Sequence, residues 1–200
     1  SKFGVAKLRY PIFDGFEYSH YPPAEDFDVI NLRSGSHDMS SRGAYMSNRF
    51  TDDSMLDMGN IAPHGRFVHL YLNGNYWGQY HLRERWSADM ASSYFGGPED
   101  DYEAVNANDN FRNDENVYDG SGQFWSETKR LLSRPNPFTN AADHIDIANI
   151  VDFMLLWVSG NSESEFRAFG SETRGIPFKF MIKDADGFLR SPGHSANHAG

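Results

Sequence analysis

Residues 66–85, RFVHLYLNGNYWGQYHLRER, limit the possible folds more than any other stretch of the chain. Val68, Leu70 and Leu72 alternate with Phe67, His69 and Tyr71. That is the period of a strand, whose successive side chains face opposite ways. Asn73-Gly74-Asn75 follows, and Asn-Gly is the strongest short signal for a tight hairpin turn. The return strand puts Tyr80, Leu82 and Glu84 on one face and His81, Arg83 and Arg85 on the other. Glu84 therefore falls on the apolar side, where a lone charge is costly. It needs a partner: a neighbouring Arg or Lys if its role is structural, or a catalytic-site cation or base if it is functional.

The rest of the chain alternates strands and helices without an internal repeat. Residues 1–26 hold Gly4, Pro11, Gly15, Pro22 and Pro23 among aromatics and read as irregular. The start at Ser1, inside a hydrophobic pattern, suggests a piece truncated at both ends. Residues 27–34, FDVINLRS, read as one strand with Phe27, Val29, Asn31 and Arg33 sharing a face. Arg33 then either ends the strand at the surface or reaches into a cleft toward an anion. A helix is expected within 40–58, capped by Ser40 or Ser41 and ending near Gly59. Further elements are a short helix at 86–95, a strand at 102–106, an Asn/Asp/Gly-rich loop over 107–122 and a helix at 123–133. Residues 144–159 carry the clearest helical stripe, Ile147, Ile150, Val151, Met154, Leu155 and Val158, capped by Asp143 and read as core.

Composition narrows the class. Hydrophobic residues make up 39% and aromatics 15% of the 200 residues, enough for a real core. A net charge of −10 argues against a protein whose main partner is a nucleic-acid backbone. The absence of cysteine removes disulfides, thiolate zinc sites and cysteine nucleophiles. No apolar run approaches a membrane span. Phosphate-loop, nucleophile-elbow and zinc-protease motifs are missing. His194 and His198 stand four apart, but on a Gly/Pro-rich tail that gives little ground for a metal site.

The chemistry is expected in residues 161–187, where acids sit at both ends of a short apolar hairpin. Asn161, Glu163 and Glu165 form one end, and Asp184 and Asp186 the other. In a strand, Asp184 and Asp186 would continue the face of Phe178, Phe180 and Ile182. Two readings follow. DADG is a turn, as Asp and Gly favour, or the acids converge to hold a divalent cation through oxygen ligands.

Three segments together resemble one family. VHLYLNGNYWGQYHLRERW (68–86) is similar to the signature hairpin of the CotH protein-kinase family, the spore-coat kinase-like domain. INLRSGSHD (30–38) resembles its Leu-Arg strand, and GNSESEFR (160–167) with FKFMIKDADGF (178–188) its two acidic motifs. The resemblance implies an α+β fold of the atypical protein-kinase type, with a small antiparallel-sheet lobe (27–106) and a helical lobe carrying the acidic hairpin (119–190), within a single incomplete domain. It implies transfer of the ATP γ-phosphoryl, with Mg²⁺ or Mn²⁺, to a hydroxyl of a coat or surface protein, in a spore-coat, secreted or cell-surface setting. Asp184 corresponds to the metal-binding aspartate of an Asp-x-Asp motif and Asp186 to its second acid. Residues 161–165 take the catalytic-loop position, with Glu163 as the catalytic acid, Glu165 as a further metal ligand and Asn161 as a cofactor contact. Glu84 becomes the inward acid of the small lobe, and Arg33 a phosphate contact. Two positions depart from the family pattern. Glu163 stands where Asp is usual, and Asn106 stands where many relatives carry Lys after the short strand. Those departures and the aromatic content support an alternative, a catalytically inactive surface or coat module that binds protein or glycan. A calcium-stabilised extracellular domain, using the many Asp and Asn residues, is the third reading.

Overall fold

In the computed structural model, which describes residues 7–16, 19–35, 44–107, 117–136, 140–160 and 165–189, Asn73 and Gly74 both take positive φ, 50° and 81°. This is the turn geometry whose twist suits a two-residue hairpin. A two-residue ribbon, β1 (Leu8–Arg9) with β2 (Asp26–Phe27), lies before β3 (Ile30–Arg33). The Asn-Gly turn joins β4 (Gly65–Leu72) to β5 (Asn75–Glu84). These last three form an antiparallel sheet in the order β3-β5-β4. Leu70 faces Gly78 while Tyr71 faces Tyr76, so Trp77 is the extra residue of a bulge.

The single strand expected over 27–34 is broken at Asp28 and Val29. Asp28 is drawn aside by Lys7, 3.1 Å away, and its N–H donates to Asp89 at 3.3 Å. The face assignment of the hairpin also needs correction, because His81 and Arg83 are as deeply buried as Glu84. Helix α1 (Ser47–Asp57) supplies the reason: its Asp52 pairs with Arg83 at 3.2 Å, beneath a layer that also holds Arg49. Burial, then Arg83, Arg49 and Arg33, push the His81 ring down to about 2, so it sits there neutral. Ser40 and Ser41 lie outside the described residues. Gly59, at φ 84°, follows the end of α1 as its sequence suggests.

Helix α2 (Ala88–Phe95) starts at Ser87, whose Oγ accepts from the Met90 N–H. Trp86, expected within that helix, instead precedes the cap and stacks on Phe169 at 4.3 Å. A second sheet takes the order β7-β6-β8-β9, from β6 (Glu103–Ala107), β7 (Val117–Asp119), β8 (Phe166–Ser171) and β9 (Ile176–Ile182). β7 corrects the expected loop over 107–122; Asp119 is held there by the Ala88 N–H at 2.9 Å. The Glu103 carboxylate accepts from the N–H groups of Phe124 and Trp125, capping α3 (Gln123–Leu132) from the neighbouring strand.

The long C-terminal helix is two: α4 (Ala141–His144) and α5 (Ile147–Gly160). Asp143 falls inside α4, and Asp146 does the capping, accepting from the Asn149 N–H at 3.0 Å. The stripe read as core is mostly outward. Ile147, Val151, Met154, Leu155 and Val158 are exposed, and α5 buries Asn149 and Phe153. Asn149 decides that rotation by bonding Asn60 and both the N–H and C=O of Phe180. A buried amide with its hydrogen bonds met outweighs the stripe, since an unmet one is costly. The core runs through Phe124, Trp125, Phe153, Phe166, Phe178 and Phe180.

Candidate functional site

The parity that placed Asp184 and Asp186 on the Phe178 face stops at Ile182, where β9 ends. Asp184 then takes the left-handed conformation, φ 58°, and opens a 3₁₀ turn, Ala185–Gly187. DADG is therefore a turn, and it also brings acids together. Asp186 is buried, and its Oδ1 accepts from Arg33 at 2.8 Å and from the Asn48 amide. Arg33 comes within 3.8 Å of Asp184. Of the two fates expected for Arg33, the structure shows the inward one, and the anion it meets is this carboxylate pair.

Two residues at the start of α1 lock the turn. Asn48 donates to Asp186 and accepts from the Ala185 N–H at 3.2 Å. Ser47 donates to the Phe188 carbonyl at 2.6 Å. Neither is legible as a site residue, because each partner lies more than 130 positions away and no local pattern marks them. Gly160, the last residue of α5, packs so closely on the Phe188 ring that a Cβ there would meet it at 1.6 Å.

Glu165 approaches from the start of β8, where its carboxylate meets Lys183 at 2.7 Å. Burial first, then Asp186, raise the Asp184 carboxyl above its ordinary range; Arg33 opposes them and Glu165 adds to the rise. Asp184 and Asp186 offer hard oxygen donors, the chemistry that suits a divalent cation of the Mg²⁺ or Mn²⁺ type, while Glu165, paired with Lys183, does not close a set of three within 4.8 Å. Among the described residues, the three carboxylates with oxygens all within 4.8 Å of one another are a different set, Asp28, Asp89 and Glu99. Lys7 bridges two of those, at 3.1 and 2.8 Å. Asn161 and Glu163 lie outside the described residues, as do His194 and His198.

Glu84 is not part of this cluster. It is buried beside His64, accepting from the His64 N–H at 2.8 Å and from the Tyr94 hydroxyl at 2.7 Å. Its partners are His64 and Tyr94, where the sequence had left open an Arg or Lys or a functional group. His64 also touches Ser19 at 3.2 Å through Nε2, and Glu84 at 3.0 Å through Nδ1. The order Ser-His-Glu has the connectivity of a hydrolytic triad. However, Ser19 donates to the carbonyls of Tyr21 and Phe16, and all three residues are buried. The set fastens the β5 end, the loop before β4 and α2 to one another.

A cleft opens between the two sheets. Asn31, Arg85, Trp86, Val105, Asn106, Tyr118 and Arg167 line about 180 Å³ of it. Asn31 stands two residues before Arg33 on β3, and Asn106 faces Arg167 across the β6–β8 pairing.

A mixed α+β domain of small antiparallel sheets, with an acidic turn clamped between a helix and a strand, is the class these features define. The chain belongs to the CotH kinase protein family, whose pattern matches residues 7–169. The matched span holds Arg33, Glu84, Asn161, Glu163 and Glu165, and stops before Asp184 and Asp186. No curated protein matches the chain. No helix among the described residues is long and apolar enough to cross a membrane.

Proposed function

We propose that this chain is an atypical kinase-like phosphotransferase domain, which moves the γ-phosphoryl of ATP to a Ser or Thr hydroxyl of a coat or surface protein. The observation that carries the reading is Asp184. It is a half-buried carboxylate beside Asp186 and near Glu165, on a turn fixed by Asn48 and Arg33, in a chain of the CotH kinase family. Phosphoryl transfer asks little covalent chemistry of a protein and depends on positioning and charge. Mg²⁺ or Mn²⁺ bound with ATP supplies neutralisation of the phosphate oxygens. Asp184 and Asp186 would hold that cation, with Glu165 as a nearby further acid, and Arg33 would keep Asp186 in place. Glu163, by its position in the motif, would accept the hydroxyl proton. Its extra methylene, relative to the usual Asp, favours a slow enzyme, since a displacement of about 1 Å can cost on the order of 100-fold.

A thermal-shift titration with ATP and Mg²⁺ or Mn²⁺ tests this. A ligand at 100 times its Kd stabilises the native state by about 2.7 kcal/mol, which is about 5–10 °C for a domain of this size. The shift should require metal and nucleotide together, vanish in Asp184→Ala, and be followed by phosphate transfer that Glu163→Gln abolishes. No shift would overturn the reading. One observation favours a second reading, an inactive coat or surface module: the hairpin tip exposes Tyr71, Tyr76 and Trp77 together, as a binding surface would. Absence of a nucleotide shift would leave that reading in possession.

A further inference from the structure

Arg85 and Arg167 differ from the arginines around them. Arg33, Arg49 and Arg83 each face an aspartate, at 2.8, 2.7 and 3.2 Å. The chain holds 28 acidic residues against 18 basic ones, so acidic partners are plentiful. Yet among the described residues neither Arg85 nor Arg167 has a carboxylate within ion-pairing distance. Arg85 lies over the Tyr118 ring at 4.9 Å. The Nε of Arg167 donates to the Asn106 side-chain oxygen, at 3.4 Å. Burial, then the fields of Arg33 and Arg85, pull the Arg167 guanidinium below its ordinary value, against the opposing fields of Asp52 and Asp184. Arg85 and Arg167 are half-buried; like charges facing a shared cavity repel, and water compensates them only in part. An anion seated between them would relieve that repulsion.

The lining fits that anion. Arg85 and Arg167 offer planar N–H forks, the geometry that matches phosphate oxygens bidentately. Asn31 and Asn106 add neutral amide donors from β3 and β6. About 180 Å³ is smaller than the roughly 300–1,000 Å³ of sites that enclose a whole small molecule, so the cleft takes one end of a ligand. The adjoining hollow shares Arg85 and Tyr118 but is walled by Asp28, Asp89, Asp119 and Glu99. Those acids repel phosphate and confine it to the arginine half.

We propose that the cleft between the two sheets is an oxyanion site for phosphoryl groups, held by Arg85 and Arg167. That the phosphoryl groups belong to a nucleotide rests on the function proposed above; the arginine site itself does not. Asn106 and Arg167 are directly opposed in register, so a charge at either position serves the same space.

Binding of sodium pyrophosphate, with EDTA present to remove metals, tests the site by calorimetry on the intact chain. Arg167→Gln and Arg85→Gln should each weaken it by about tenfold or more, the loss of one hydrogen-bonded charge contact. Moving the charge, in the double variant Asn106→Lys with Arg167→Gln, should restore most of the lost affinity. Far-UV circular dichroism on each variant separates loss of binding from loss of fold, and the rescued variant keeps the test decisive. Wild-type protein that ignores pyrophosphate, or Gln variants that bind it as wild type does, would overturn the proposal. If pyrophosphate binds through the arginines while ATP with Mg²⁺ binds no better, the oxyanion site stands and the nucleotide reading falls.

Discussion

The Asp184 carboxyl is raised by burial and by its acidic neighbours, and the sign of the consequence is fixed by linkage. A proton binds Asp184 more tightly in the folded chain than in the unfolded one, whose value is near 3.8. Its favourable contribution is therefore full below that value and is lost as pH rises toward the higher folded value. At neutral pH the ionised acid costs stability, and a divalent cation relieves that cost. Asp184→Asn should thus raise the melting temperature in EDTA at pH 7 and flatten the decline across the acid range. Asn also tolerates the left-handed backbone at this position. The same variant should lose all stabilisation by Mn²⁺ with ATP. A lower melting temperature in EDTA would show that the ionised acid is paid for by Arg33. Asn48 is the second residue to test. Asn48→Ala removes two buried hydrogen bonds to the turn and leaves Asp186 short of a donor. A loss of about 1–3 kcal/mol in urea unfolding is expected, with a parallel loss of metal-dependent nucleotide binding.

Elements came through from the sequence where the signal was local. The Asn73-Gly74 turn, the alternation along β4 and the end of α1 at Gly59 each depend on a few adjacent residues. The buried parity of Phe178, Phe180 and Ile182 was readable too, but its extension to Asp184 was not, because φ at Asp184 is set by contacts from α1. The rotation of α5 was hidden for a related reason: the apolar stripe points one way, and Asn149, a single polar residue, turns the helix the other. Mutations separate the two faces. Phe153→Ala should cost about 3–5 kcal/mol, while Leu155→Gln on the stripe should change stability by no more than about 0.5 kcal/mol. A large cost for Leu155→Gln, measured by urea unfolding, would place the stripe inside. At the other end of the same helix, Gly160→Ala sets propensity against packing. Alanine is favoured in a helix by about 1 kcal/mol, but its Cβ would strike the buried Phe188 ring. Packing should win, with a net loss of about 1–3 kcal/mol and weaker metal-dependent binding, because Phe188 ends the acidic turn.

Across the whole molecule, the two lobes suggested by the family resemblance meet within one sheet. The boundary at 106 falls inside β6, and β6 pairs along its length with β8. Trp86, from the first lobe, stacks on Phe169, from the second. Arg33 and Asn48 reach Asp186 from more than 130 residues away. The cleft and the acidic turn are both assembled across that junction, so neither site can exist in a half-folded chain. Hydrophobic burial and strand pairing shared in this way make unfolding cooperative. The expected outcome is a single transition in urea, with tryptophan fluorescence, far-UV circular dichroism and retained nucleotide binding all falling at the same midpoint. Trp86 and Trp125 sit on opposite sides of the junction and are both buried, so fluorescence of variants keeping only one of them reports each side separately. Coincident midpoints mean that the junction carries the stability of both sites. Separate midpoints would mean that the lobes fold independently, and that a ligand bound between them must supply the free energy that closes them.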